Sequence, residues 1–277
     1  MLLYLFSLPN SEAKIAKGGL DLTVYSRFKH GCIESTRILA TDLAKKLLNE
    51  TDLLEGITYF SSTLKTGAPS ASHWLANDVV KEINNVAFEK KKTSVRYMDL
   101  LQAPREPVFK DYSRLDSKDR HKAQGLQLPL VTVPDLPNNS NLVIINDVYV
   151  TGAQYEKQKQ ILKQAGINAK RIYWQYIAKF QNKGRRSLNT RLENYMNNYA
   201  FPNDRAFLSF LKDRNSLNAI YPNKRLILKI LTMEEKSRRK VILLLNKGLR
   251  RSFLDYALLE NMHLNSNTSE GLELLAN

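Results

Sequence analysis

Leu142-Val143-Ile144-Ile145-Asn146-Asp147-Val148-Tyr149-Val150-Thr151-Gly152-Ala153-Gln154 is the stretch whose reading decides the fold. Four apolar β-formers, Leu142 to Ile145, stop at Asn146-Asp147; a short loop with Thr151-Gly152-Ala153 follows, then a polar helix from about Tyr155 to Ala165. In an open parallel sheet a buried strand is a continuous apolar run, and ligands sit just beyond its carboxyl end. Thr151 and Gly152 stand where the loop turns into the helix, and there free N–H groups and the helix dipole favour an anion such as phosphate. Asp147 opens the loop, placed to accept hydrogen bonds from sugar hydroxyls or to hold a metal through water. A sugar phosphate fits both halves. An ordinary strand–helix turn capped by Thr151 is the plain alternative.

Working outward, the N-terminal Met1–Pro9 reads as a first strand. Leu20–Phe28 alternates like a half-buried strand, and Glu34–Glu50 has helical spacing with Ile38, Leu39, Leu43, Leu47 and Leu48 on its apolar side. Gly56–Phe60 is a short strand running into a hydroxyl-rich loop, Ser61–Gly67, and Ala71–Asn84 is the helix after it. Ser94–Leu101 and Arg171–Ala178 are further strands. Strands alternating with helices predict an α/β fold with a mostly parallel central sheet and flanking helices. Beyond about residue 200 the pattern changes to helices only: Arg205–Leu211, Arg225–Met233, Glu234–Leu245 and Leu249–Leu264, with Ser187–Met196 leading into them. Pro202 and Pro222-Asn223 are the breaks, and Ser266–Asn277 is expected to fray. Residues 1–200 are thus read as an α/β domain and 201–277 as a basic helical C-terminal subdomain.

Charge is unevenly spread along the chain, with the break near residue 150. The chain of 277 residues carries a net +15; residues 1–150 hold 19 basic against 17 acidic side chains, and residues 151–277 hold 23 against 10. A concentrated positive field attracts polyanions, so nucleic acid or an acidic partner is one reading of the C-terminal half and a solvated helical surface is the other. The single cysteine, Cys32, excludes an intrachain disulfide and a Cys-rich zinc site, which makes the reducing cytoplasm the default compartment. The apolar N-terminus lacks the basic residues of a signal peptide and is too short to span a bilayer, so no membrane association is expected. No H-E-x-x-H, G-x-x-x-x-G-K-[ST] or G-x-S-x-G occurs, and His30, His73, His121 and His263 lack metal-ligand spacing.

The segment around Asp147 resembles the phosphoribosyl-pyrophosphate (PRPP) motif of type I phosphoribosyltransferases. Ile145, Asp147, Val148, Thr151 and Gly152 match it; Asn146 stands for the first acid, Val150 for a small hydroxylic residue and Gln154 for Thr or Ser. The resemblance implies that Asp147 and Asn146 bind the ribose and that Thr151, Gly152, Ala153 and Gln154 wrap the 5′-phosphate. Asn146 keeps an acceptor and loses the charge, and hydrogen bonds to charged groups contribute about 1.5–3 kcal/mol against about 1 for neutral ones. The loop after the first core strand binds pyrophosphate in that family, and Ser61, Ser62, Thr63, Lys65 and Thr66 take its place here. A long mobile loop precedes the PRPP motif in the family. Arg105–Gly125 corresponds, with Tyr112, Arg114, Arg120, His121 and Lys122, although Ser117–Lys122 also reads as a short helix.

Tyr25-Ser26-Arg27-Phe28-Lys29-His30-Gly31 is similar to the Y-S-R-F-K-x-G signature of a bacterial phosphoribosyltransferase branch found with tellurium-resistance-type gene clusters and loosely related to the ComF-like group. Arg27 and Lys29 then face pyrophosphate or the acceptor; alternatively they flank a strand end and point into water. The resemblance covers about residues 20–180. It implies transfer of the 5-phosphoribosyl group from PRPP to an unidentified nitrogenous acceptor, as in nucleotide metabolism, with pyrophosphate leaving. Mg²⁺ comes with the substrate and meets Asp147 indirectly, and Asp147 and Lys65 are the catalytic pair. A non-catalytic PRPP sensor using the basic tail on nucleic acid is one rival reading, and an RNA- or protein-binding module on the same scaffold that binds no PRPP is the other. The acceptor stays unidentified and a homodimer stays open.

Overall fold

In the computed structural model, the described residues are 1–9, 11–15, 17–64, 67–101, 136–181, 186–213 and 219–276. Five strands form one parallel sheet: β1 Leu2–Leu8, β2 Thr58–Ser62, β3 Arg96–Tyr97, β4 Asn141–Tyr149 and β5 Arg171–Phe180, in the order β1-β5-β4-β2-β3. Eleven α-helices surround it among the described residues: α1 Glu12–Ile15, α2 Leu22–Lys29, α3 Ile33–Glu50, α4 Ala71–Glu89, α5 Ala153–Gln164, α6 Arg186–Asn198, α7 Asp204–Lys212, α8 Lys224–Leu231, α9 Glu235–Leu244, α10 Lys247–Leu259 and α11 Ser266–Ala276. The architecture is the expected α/β one.

Strand order places the functional crevice. From β2 the chain moves outward to β3; from β4 it moves the opposite way to β5. The two loops therefore diverge above the neighbouring carboxyl ends of β2 and β4, and a crevice opens between them, as at the switch point of any doubly wound sheet. β4 is the strand best buried, from Asn141 through Asn146, because it is flanked on both edges and covered on both faces. Val143 and Ile145 pack with Leu39, Leu43, Leu75 and Val79 of α3 and α4; Leu142 and Ile144 pack with Ile161, Leu162 and Trp174 on the other side.

Three expectations change. Leu20–Phe28 is the helix α2, not a strand. Leu22, Tyr25 and Phe28 are buried at three-residue spacing, and the Asp21 carboxylate accepts from the amides of Thr23 and Val24 at 2.8 and 3.0 Å, a helix N-cap. Alternation and helical spacing coincide over so short a run, and the cap decides. Second, β4 does not stop at Asn146. It pairs with β5 through Tyr149, so both motif residues lie within the strand and the turn begins at Val150. Third, Ser266–Ala276 does not fray but forms α11, with Leu272 and Leu275 buried among Leu226, Ile230 and Phe253, and with Gly271 against Leu231, where a Cβ would come within 2.9 Å of its side chain.

The remaining differences are of extent. The strand predicted at Ser94–Leu101 is shorter, Arg96–Tyr97, and the last long helix ends at Leu259, where Asn261 takes a left-handed φ of 54° before a short 3₁₀ turn. The helices α7, α8 and α10 all start on an asparagine cap: Asn203, Asn223 and Asn246 accept from Ala206, Leu226 and Leu249 at 2.9 Å each. Residues from Phe201 to Leu275 share one apolar cluster of their own.

Candidate functional site

A cavity of about 180 Å³ occupies the crevice between the β2 and β4 loops. Thr63, Ser70, Ala71 and Ser72 line it from the first loop; Asn146, Asp147, Thr151, Gly152 and Gln154 from the second. Lys29, Glu193 and Arg225 complete its charged lining.

The β4 loop is shaped largely by its own residues. Gly152 has φ +81°, which a glycine adopts freely, and a Cβ there would lie 2.4 Å from the Tyr149 hydroxyl. Tyr149 in turn is wedged between the rings of Tyr155 and Tyr176, with centroids 6.1 and 5.4 Å away. The Thr151 hydroxyl accepts from the Ala153 amide at 3.3 Å, and α5 starts there. Asn189 of α6 donates to the Val150 carbonyl at 3.3 Å.

Asn146 and Gln154, two of the departures from the PRPP motif, are joined to each other. The Asn146 amide donates to Gln154 Oε1 at 3.2 Å, while its own oxygen accepts from the Ser72 hydroxyl at 3.2 Å and from the Asp147 amide at 2.8 Å. Asn146 is only 3% exposed and also meets the Tyr176 hydroxyl, whose pKa is raised, first by burial and then by the neighbouring Tyr149. A neutral amide tolerates this burial; an unpaired carboxylate there would lose its hydration. Asn146 is thus a tie between strand, helix α4 and helix α5. Asp147 is more open. One carboxylate oxygen accepts from the Val148 amide at 2.8 Å, and the other is paired with Lys29 Nζ.

Lys29 brings the Tyr25–Gly31 signature into the site, and all but one of its neighbours in that signature have a visible task. Tyr25 and Phe28 are fully buried. The Ser26 hydroxyl donates to the Asn197 carbonyl and accepts from the Ala200 amide, at 2.9 and 3.1 Å. His30 packs edge-on against Phe201 with centroids 4.9 Å apart. Gly31, at φ +85°, lies where a Cβ would sit 2.2 Å from the Tyr221 carbonyl, and its own carbonyl accepts from the Tyr221 amide at 2.7 Å. Arg27 behaves otherwise: it is exposed and stands 5.8 Å from the Phe210 ring, outside the cavity lining.

Ser61 and Ser62 lie within β2 and are buried, so the turn starts later than their sequence suggests; Ser62 donates to the Thr63 carbonyl at 3.0 Å. Lys65, Thr66, Tyr112, Arg114, Arg120, His121 and Lys122 lie outside the described residues. Sequence reasoning missed Ser72, Tyr176, Glu193 and Arg225. Ser72 was legible in principle, since it follows a serine N-cap, Ser70, at the end of a candidate phosphate loop. Glu193 and Arg225 reach the cavity from helices remote in sequence, and no local pattern marks them.

The switch point of the parallel sheet thus carries Asp147 near the end of β4 and a Thr151-Gly152 turn that opens α5. The ComF-like phosphoribosyltransferase family matches residues 3–275, and the chain belongs to that family. The match spans the sheet and the C-terminal helices alike, and membership supports phosphoribosyl transfer as the class of chemistry. No curated protein matches the chain. Among solved structures it is similar to a hypoxanthine phosphoribosyltransferase from Staphylococcus aureus in two crystal forms. The tetragonal form is 11% identical, covering 55% of this chain and 67% of that one, with a TM-score of 0.35. The orthorhombic form is also 11% identical, covering 58% and 66%, with a TM-score of 0.32. Likeness at that depth decides nothing about substrate.

Proposed function

We propose that this protein binds PRPP in the crevice between β2 and β4 and transfers its 5-phosphoribosyl group to a nitrogen nucleophile, releasing pyrophosphate. The observation that carries the reading is the convergence of Asp147, Thr151, Gly152 and Gln154 on one cavity with two cations, Lys29 and Arg225. Thr151 to Gln154 cradle the 5′-phosphate. Asp147 accepts from ribose hydroxyls, with Lys29 fixing its orientation. Asn146 contributes through Gln154 and Ser72, holding the cradle in shape. The C1–oxygen bond to pyrophosphate breaks, the C1–nitrogen bond forms, and the nucleophile's proton leaves to solvent. No enzyme nucleophile is needed, because an oxocarbenium-like carbon is captured directly once it is positioned and kept from water. Lys65 and the segment Tyr112–Gly125 keep the leaving-group and water-excluding roles that the resemblance implies.

Mg²⁺, if bound with the substrate, would supply charge neutralisation for the leaving pyrophosphate. An ion that came with the substrate would need few protein ligands, and Asp147 would hold it indirectly, through water or the substrate. No group of three or more His, Cys, Asp or Glu that could hold a metal occurs among the described residues. No helix of the described residues is long and apolar enough to cross a membrane. Residues 201–277 are taken as a second, helical unit, since they share an apolar cluster, and their surplus of positive charge suits an acidic partner or nucleic acid. A sensor that binds PRPP without transferring it is the second reading, favoured by the uncharged, fully tied Asn146. Calorimetry with PRPP and Mg²⁺, followed by pyrophosphate release against a panel of bases, separates the outcomes: no PRPP binding refutes both readings, and binding without release on any base leaves the sensor.

A further inference from the structure

We infer that Arg225, from the C-terminal helices, is a substrate-binding residue on the pyrophosphate side of the crevice, so that those helices complete the site. The inference deepens the phosphoribosyl reading above and rests on it for the identity of the ligand. Arg225 is in the first turn of α8 and lines the cavity together with Ser70, Ala71 and Ser72, the residues that open α4 after the β2 loop. Its neighbour Lys224 fixes that placement: the Lys224 amide donates to the Pro69 carbonyl at 3.0 Å. Lys224 Nζ pairs at 2.5 Å with Glu260, whose other oxygen accepts from the Ala68 amide at 2.9 Å. Gly67 completes the contact, since a Cβ there would come within 3.0 Å of Glu260 and 3.2 Å of the Leu259 carbonyl. The turn entering α4 is therefore clasped by α8 and α10, and the clasp carries a guanidinium into the cavity.

The charges around the cavity divide by origin. Lys29 is paired with Asp147 near the β4 loop, and Glu193 of α6 adds a second carboxylate to the lining. Arg225 arrives beside Ser70–Ser72, away in sequence from both. A planar guanidinium forks onto two phosphate oxygens, and removal of such a charged hydrogen-bonding group weakens binding by about 10- to 100-fold. The 5′-phosphate already has its cradle in Thr151–Gln154, so the ligand group left for Arg225 is the pyrophosphate.

The test is calorimetry on the full chain and on Arg225→Gln and Arg225→Lys, with PRPP, ribose 5-phosphate and inorganic pyrophosphate as separate ligands, each with Mg²⁺. Arg225→Gln should lose at least about tenfold in affinity for PRPP and pyrophosphate and stay within about twofold for ribose 5-phosphate. Arg225→Lys, which keeps the charge and loses the fork, should recover part of that loss. Retained ribose 5-phosphate affinity doubles as evidence that the variant is folded. Unchanged pyrophosphate affinity, or equal loss for all three ligands, overturns the inference. A wild-type chain that binds pyrophosphate through Arg225 but neither PRPP nor ribose 5-phosphate sinks the phosphoribosyl reading and leaves this one standing.

Discussion

The two loops that face each other across the crevice are built by opposite means. The turn after β4 is held mainly within a dozen residues: Gly152 against Tyr149, Thr151 on the Ala153 amide and Asn146 on Gln154, with remote ties from Asn189 to Val150 and from Ser72 to Asn146. The turn entering α4 is held from far along the chain, by Lys224 on Pro69 and Glu260 on Ala68. Local construction makes a shape that survives changes elsewhere. Remote construction makes the second loop depend on docking of the C-terminal helices, and it offers a means of coupling those helices to the site.

The sharpest break in that contrast is Gly152→Ala. Left-handed backbone costs an L-residue about 1–2 kcal/mol, and crowding a packed ring adds about 1–3 more. A clear drop in melting temperature is expected together with lost PRPP binding. Adding Tyr149→Phe removes the hydroxyl that a Cβ would strike and should restore part of the stability, leaving the backbone cost. A single variant as stable as wild type would mean the turn is not held as described.

Next in size is Glu260→Ala, which strips the Ala68 amide of its acceptor and Lys224 of its partner. About 1–3 kcal/mol of stability should be lost, with the exchange protection of residues 67–72 falling while that of 150–156 holds. Equal loss in both loops would erase the distinction between them. Asn146→Ala is the mirror experiment. It removes partners from Ser72, the Asp147 amide and Gln154, and should cost about 1–2 kcal/mol, with the damage confined to the β4 turn and its contact with α4.

The legibility of the sequence follows the same line. The β4 turn could be read because its determinants are neighbours in the chain: an apolar run, an acid, then Thr-Gly opening a helix. The C-terminal helices could be read because asparagine caps and apolar spacing are local signals as well. Arg225 and Glu193 could not, since only folding brings α8 and α6 to β4. The misreading of α2 has another cause. Leu22, Tyr25 and Phe28 satisfy a helical face, whereas Leu20, Leu22, Val24 and Phe28 suggest a strand, and only the Asp21 cap separates the two. For α11, the polar Ser266–Ser269 stretch conceals Leu272 and Leu275, which find their partners on α8 and α10.

The smallest effect concerns Tyr25, fully buried in the core cluster that α2 shares with the sheet. Its hydroxyl is buried without a hydrogen-bond partner, and burial, reinforced by Glu193, holds its pKa well above the ordinary 10.0. As pH rises past that value the unfolded chain releases the phenolic proton before the native one does. The contribution to stability is therefore complete below pH 10.0 and declines above it. Tyr25→Phe should be nearly neutral at pH 7 and should flatten the alkaline decline in denaturant midpoint. An unchanged alkaline slope would show that Tyr25 does not control it.

A crystal soaked with ribose 5-phosphate tests the central claim most directly. The account predicts the phosphate within hydrogen-bonding distance of the Thr151–Gln154 backbone and the ribose hydroxyls on Asp147. Phosphate bound at another surface, with the crevice empty at saturating ligand, would contradict it.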